Sequence, residues 1–244
     1  TEDVLDGWLV KKAALHARRA PGTTCLAALR AGGHGTRESP ANDSKGCGGV
    51  MRIAPVGLAL RDSSFSAGCE IAAITHGNRT GYLAAGYLAD VVARVVEGAD
   101  LRDAAYTALG RVGKDRGHEE TTAAVETALG LAAAGKASPS VVESLGDGWV
   151  AEEALAIGLY CALVARDFAD GVLLAVNHGG DSDSTGAIAG NLLGLVHGEA
   201  GIPKRWIERV ELRNVITRIA DDLWAHFGCE RTGECDDVDR YPGC

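Results

Sequence analysis

The densest group of chemistry-bearing residues is Asn177-His178-Gly179-Gly180-Asp181-Ser182-Asp183-Ser184-Thr185-Gly186, where two carboxylates alternate with hydroxyls. It lies between an apolar run, 171–176, and a small-residue stretch, 187–196, that reads as a helix. Alternating Asp side chains on a turn can converge on one point, with a hydroxyl oxygen completing the set. Hard oxygen donors at this density suit Mg²⁺, Ca²⁺ or Mn²⁺ and suit zinc poorly. The cheaper reading is a helix start, because Asp, Ser and Thr cap helices and acids there oppose the macrodipole. Two other metal motifs compete for the same residues. An EF-hand loop would need a bidentate Glu at its twelfth position, which here is Leu192. A phosphatase of the Asp-x-Asp-x-Thr type fits Asp181, Asp183 and Thr185, but needs strands alternating with helices, and the chain beyond Asp183 reads as helix.

A second candidate is Ser44-Lys45-Gly46-Cys47-Gly48-Gly49-Val50-Met51-Arg52. Its glycines let backbone N–H groups approach an anion, and a helix follows. It is not a Walker loop, because Gly-Lys-Ser/Thr is absent. Taken alone, such a stretch also reads as a plain turn. Thr75-His76-Gly77-Asn78 closes a helical segment, where a histidine ordinarily meets the last carbonyls. Trp149, beside the Gly146-Asp147-Gly148 turn, reads as a core or rim residue. Glu152 and Glu153 fall in a first helical turn, where dipole compensation explains them more cheaply than catalysis.

The elements that must position these groups are helical. At 244 residues the chain can bury a substantial core and reads as one domain, 1–244, with an irregular tail over 228–244. Hydrophobic residues make up 46% but aromatics only 5%, so the core has to be built from Ala, Leu, Val and Gly. Period-two alternation is scarce and helical spacing is common. Helices are expected near 66–74, 81–97, 100–111, 119–134, 150–165, 168–176 and 187–196. A last long helix, 203–227, should turn Trp206, Val210, Ile216, Ile219 and Leu223 inward. A net charge of −9 without a basic stripe argues against an extended nucleic-acid surface. No stretch of about twenty apolar residues suggests a membrane span. Seven cysteines, an odd number, fit a reducing cytoplasm better than a disulfide framework. Cys229, Cys235 and Cys244 lie near His226, but their spacing matches no familiar zinc motif.

Taken together, four strings resemble the ADP-ribosylglycohydrolases, the group that includes the dinitrogenase-reductase-activating enzymes. They are the stretch from Ser44 to Pro55, Thr75-His76-Gly77, Gly148-Trp149-Val150-Ala151-Glu152-Glu153-Ala154-Leu155-Ala156, and Asn177 through Gly194, in the family's order and across nearly the whole chain. The resemblance implies an all-α fold, a compact orthogonal helical domain. It also implies hydrolysis of the glycosidic bond between ADP-ribose and an acceptor such as a protein side chain, so that the partner is ADP-ribose or an ADP-ribosylated protein. The implied cofactor is Mg²⁺, two ions in the family, with Asp181, Asp183 and Ser184 supplying the late half of the metal shell. Ser44, Lys45, Gly46, Cys47, Gly48 and Gly49 would hold the diphosphate and adenosine side, with His76, Gly77, Gly180 and Ser182 in the same pocket.

The family's Gly-Asp-x-x-Gly and Thr-Asp-Asp-Thr segments are not in the sequence, and Asn78-Arg79 stands where the family usually has His-Pro. Thr1 falls roughly where a full-length member is past those segments. The early metal ligands and an early acidic residue are therefore expected to be missing, leaving no catalytic acid to name. On that reading the alternative is an ADP-ribose-binding or structural module of the same fold.

Overall fold

The computed structural model describes residues 7–32, 35–228 and 241. Among them the protein is all-α: helices joined by loops and short 3₁₀ turns, with no sheet and one isolated bridge, Gly46 to Val150. That excludes the phosphatase architecture. The helices are α1 (Thr23–Arg30), α2 (Ala54–Ala59), α3 (Ser64–Ala73), α4 (Arg79–Val96), α5 (Leu101–Val112), α6 (Glu119–Ala133), α7 (Pro139–Glu143), α8 (Ala151–Val164), α9 (Phe168–Val176), α10 (Ser182–Gly201), α11 (Lys204–Arg209) and α12 (Arg213–Phe227). The backbone divides into two compact units, one made of 1–21 and 205–244 and the other of 22–204.

In the unit 22–204, α4 and α8 are the central helices. Apolar residues surround α8 on every side, the signature of a helix buried all round. It is enclosed by α4, α6, α9 and α10, while α4 is enclosed by α2, α3, α5 and α8. Small residues set this spacing. Ala84, Ala85, Ala89 and Ala93 are buried on α4, and at Gly86 a methyl would come within 2.8 Å of the Phe65 carbonyl on α3. Asn78 caps α4 by accepting from the Thr80 N–H, and Asp100 and Asp167 do the same for α5 and α9. The departure at Asn78 is thus a helix cap.

The unit 1–21 with 205–244 joins two distant segments through a paired Arg19–Glu211 contact and an edge-on Trp8–Tyr241 contact. Here the structure corrects the expected helix over 203–227. The chain breaks between α11 and α12 at Leu212, whose φ of +60° is left-handed. The break adjoins Glu211, whose carboxylate takes both terminal nitrogens of Arg19, a contact from outside any local window. The expected inward stripe is also corrected. Val210 and Ile216 are exposed, and no residue of α11 or α12 is fully buried. A unit this small has little interior to offer. Apart from Gly228 and Tyr241, the expected irregular tail and its three cysteines lie outside the described residues.

Candidate active site

The four strings meet in the unit 22–204. Asn42 begins the assembly: its Oδ1 accepts from the Ser44 and Gly77 N–H groups, and its Nδ2 donates to the Thr75 carbonyl. The Asn78 N–H donates to the Ser44 carbonyl, so the glycine loop is laced to the end of α3. On its other side the loop runs beside the start of α8. Ala151 N–H donates to the Lys45 carbonyl at 2.8 Å, and Cys47 N–H donates to the Trp149 carbonyl at 3.1 Å. Among the described residues the half-buried Gly48 N–H has no main-chain partner outside the helices, whereas Gly49 is buried against Ala72 of α3.

The acidic segment is anchored to the same turn, Asp181 N–H donating to the Asp147 carbonyl at 2.7 Å. Its helix starts at Ser182, five residues earlier than the expected 187, so Asp183, Ser184 and Thr185 belong to the first turn of α10. Dipole and hydroxyl chemistry explain the early start. Thr185, fully buried, donates to the Ala175 carbonyl at 2.7 Å, also lies 3.1 Å from the Asp181 carbonyl, and accepts from His178 Nε2 at 3.0 Å. His178 Nδ1 in turn accepts from the Gly180 N–H. That fixes the imidazole as its Nε2–H tautomer.

Cys47 joins the two loops. Its thiol donates to Asp181 Oδ2 at 2.8 Å and lies 3.3 Å from Ser184 Oγ. Burial, aided by the hydrogen bond to Asp181, pushes this thiol up to about 12, so it stays a protonated donor. Burial works against ionised Asp181, but hydrogen bonds with Asp183, Cys47 and Ser184 outweigh it and hold its pKa below the usual range. Asp183 moves the other way, raised first by its hydrogen bond to Asp181 and then by burial. The opposite shifts follow from two neighbouring carboxylates, each of which disfavours the charge of the other. Ser184 is buried, its hydroxyl donating to Met51 Sδ at 3.1 Å, while Asp183 is exposed.

Two neighbouring carboxylates with a hydroxyl at Ser184 are the hard oxygen donors that a Mg²⁺ ion takes. No third His, Cys, Asp or Glu completes a metal-binding group among the described residues.

His76 is buried and reads the loop from behind. Arg52 Nη2 donates to Thr75 Oγ1 at 2.7 Å, and that hydroxyl is hydrogen-bonded to His76 Nδ1 at 2.8 Å. The Nε2 edge of His76 packs against Gly46 and Gly48. Burial first, and then the Arg52 charge, push its pKa down to about 4. Between about pH 6.5 and 4 the unfolded chain then binds more protons than the folded one. Stability should be complete above 6.5 and fall by on the order of 3 kcal/mol as pH drops to 4. Urea unfolding across that window should show the slope in the wild type and a shallower one in His76→Gln; equal slopes would refute the assignment.

Two residues do more than their sequence positions suggest. Glu152, 8% exposed, pairs its Oε1 with Lys45 Nζ at 2.5 Å. Glu153 is a turn clasp, accepting from the Asp147 and Gly148 N–H groups. Dipole compensation accounts for neither alone. Lys45 is also paired with Glu120 at 2.9 Å, so its ammonium faces two carboxylates. Trp149 is 61% exposed and stands on the rim. Beside the loop, a cavity of about 640 Å³ is lined by residues that include Arg37, Asp43, Lys45, Gly77, Asn78 and Glu120.

The ADP-ribosylglycohydrolase family model matches residues 2–232. An ADP-ribosylarginine hydrolase Tri1 of Pseudomonas putida is 32% identical over 87 residues, 36% of this chain and 22% of that protein. An uncharacterized protein of Archaeoglobus fulgidus is 31% identical over 215 residues, covering 83% of this chain and 65% of its own length. The chain thus spans less than two thirds of these curated relatives. A solved structure titled ADP-ribosylglycohydrolase-related protein complex superposes with a TM-score of 0.68 at 30% identity, covering 83% of this chain and 68% of that one. With its four strings gathered into one helical unit and its sequence matched over nearly its full length, the chain belongs to the ADP-ribosylglycohydrolase family.

Proposed function

We propose that the protein is a Mg²⁺-dependent hydrolase of the glycosidic bond between ADP-ribose and an acceptor, with ADP-ribosylated protein as its substrate class. The observation that carries this reading is the Cys47–Asp181 contact, which brings the glycine loop and the acidic loop, 134 positions apart, against each other. An anion cradle and a cation site side by side suit a ligand with a diphosphate at one end and ribose hydroxyls at the other. The names of the relatives, an ADP-ribosylarginine hydrolase among them, point the same way.

In this reading the Gly48 N–H, carried by the 44–49 loop that Asn42 and Trp149 brace, meets the diphosphate. His76, neutral and held by Thr75, lies on the same side with Nε2 against Gly46 and Gly48, and Gly77 makes room for the main-chain carbonyl of Asn42, whose side chain braces the loop. Gly180 and Ser182 border the ribose, and Asp181 and Asp183, with Ser184 behind them, hold the metal. When bound, Mg²⁺ supplies orientation of the ribose hydroxyls and stabilisation of charge as the anomeric bond breaks. The Cys47 thiol keeps Asp181 ionised and aimed. Free thiols at Cys25, Cys47, Cys69 and Cys161 accord with a cytoplasmic setting, and no described helix is long and apolar enough to cross a membrane.

Calorimetry of ADP-ribose binding, with and without Mg²⁺, tests the proposal in the wild type and in Asp183→Ala. Metal should strengthen binding at least tenfold in the wild type, and the variant should lose that gain. Binding indifferent to both metal and substitution would overturn the proposal.

A further inference from the structure

Lys45 sits at a junction that no local pattern announces. Its ammonium is bound by Glu152 Oε1 and Glu120 Oε2, and Glu120 Oε2 also accepts from the Thr80 hydroxyl at 2.8 Å. Thr80, Glu120 and Glu152 are each the second residue of a helix: α4, α6 and α8. Three helix starts, whose positive ends would by themselves repel a cation, are thus gathered around one lysine by two carboxylates. The main chain of the same residue is fastened as well, its carbonyl accepting from Ala151 at the start of α8.

We propose that Lys45 is a positioning residue, a staple that sets the height of the glycine loop against α4, α6 and α8, rather than a direct contact for the diphosphate. Glu120 and Lys45 form part of the wall of the 640 Å³ cavity. Glu152 is tied to the role by its burial: its Oε2 has no hydrogen-bond partner among the described residues, so its charge is balanced through Oε1 alone. In the neighbouring peptide the Gly46 N–H is held by Ser44 Oγ and the Cys47 N–H by the Trp149 carbonyl, and an unfastened loop would loosen both and with them the position of Gly48. The inference deepens the proposed function and rests on it for the identity of the anion.

The test compares Lys45→Arg, Lys45→Met/Glu152→Gln and Glu120→Gln with the wild type. The double variant removes the staple without leaving a buried unpaired carboxylate. Three measurements are made on each chain: thermal unfolding, amide hydrogen exchange at Gly46, Cys47 and Ala151, whose N–H groups are bonded in the fastened loop, and ADP-ribose binding in Mg²⁺. The double variant should unfold within a few degrees of the wild type, yet exchange its loop amides about tenfold faster and bind ADP-ribose about tenfold more weakly. Glu120→Gln, altered at an exposed carboxylate, should retain the fold and show a smaller change of the same sign, while Lys45→Arg should restore both readouts. Wild-type exchange in both the double variant and Glu120→Gln would overturn the positioning role whether or not ADP-ribose binds. Unchanged exchange with a large loss of binding would return Lys45 to direct contact. If the wild type exchanges as expected but fails to bind ADP-ribose, the functional proposal fails and the staple stands as a property of the loop.

Discussion

Gly180→Ala should abolish the acidic loop's conformation, whereas Gly179→Ala, one residue away, should be nearly silent. A methyl at Gly180 would overlap the Asp147 carbonyl oxygen and come within 2.6 Å of its carbonyl carbon, so the obstacle is backbone with no rotamer to move. Relief requires Asp147 and Asp181 to separate, which breaks their 2.7 Å hydrogen bond and lifts Asp181 from Cys47. At Gly179 the same methyl meets nothing within 4 Å. The expected costs are about 3 kcal/mol or more at Gly180 and within about 0.5 kcal/mol at Gly179. Metal-dependent ADP-ribose binding should vanish only in the first variant. Denaturant unfolding of the pair is the measurement, and equal midpoints would mean that the two loops do not meet as described.

Thr185→Val should weaken both stability and metal-dependent binding, although Thr185 lies wholly in the interior and faces no cavity. Its hydroxyl is the hub of the α10 start, donating toward Ala175 and accepting from His178, whose other nitrogen holds Gly180. Valine keeps the shape but orphans a buried carbonyl and a ring N–H, a loss of about 2 kcal/mol. Thr185→Ser retains the hydroxyl and gives up one methyl, about 1 kcal/mol. If serine and valine cost the same, packing rather than hydrogen bonding governs the site. A pH-independent drop in Mg²⁺-linked ADP-ribose affinity in the valine variant alone would show that the hub transmits to Asp181 and Asp183.

The helical architecture was legible because its signals are local. Helical spacing, caps such as Asp100 and breakers such as Gly98 place α4 to α6 and α8 to within a few residues. The acidic run announced hard-cation chemistry through residue type alone. The start of α10 was misplaced because the Asp-Ser-Asp-Ser-Thr stretch supports both a loop and a first helical turn, and the choice depends on Ala175 and Asp147. Glu152 was undervalued for the same reason: its partner Lys45 is 107 positions away, and a carboxylate in a first turn looks identical whether it faces water or a buried ammonium. Leu212 shows the limit most sharply. Apolar spacing continues through it, whereas the left-handed φ of Leu212 and the Arg19–Glu211 contact beside it come from outside any local pattern.

The path of the chain through its two units has a consequence for the order of folding. The polypeptide leaves the first unit at Pro21 and re-enters it at Arg205, so that unit is completed by segments separated by everything in the second. While 22–204 is unfolded, joining Arg19 to Glu211 means closing a loop of about 180 flexible residues, an entropic cost that grows with the logarithm of its length. Once 22–204 has folded, the loop is a fixed body and most of that cost is gone. The helical unit that carries the candidate site can therefore form without waiting for the chain's two ends, whereas the ends depend on it. On that entropic ground the pairing of Arg19 with Glu211 is expected to form after 22–204 and to open before it, which amide exchange in the two segments would read.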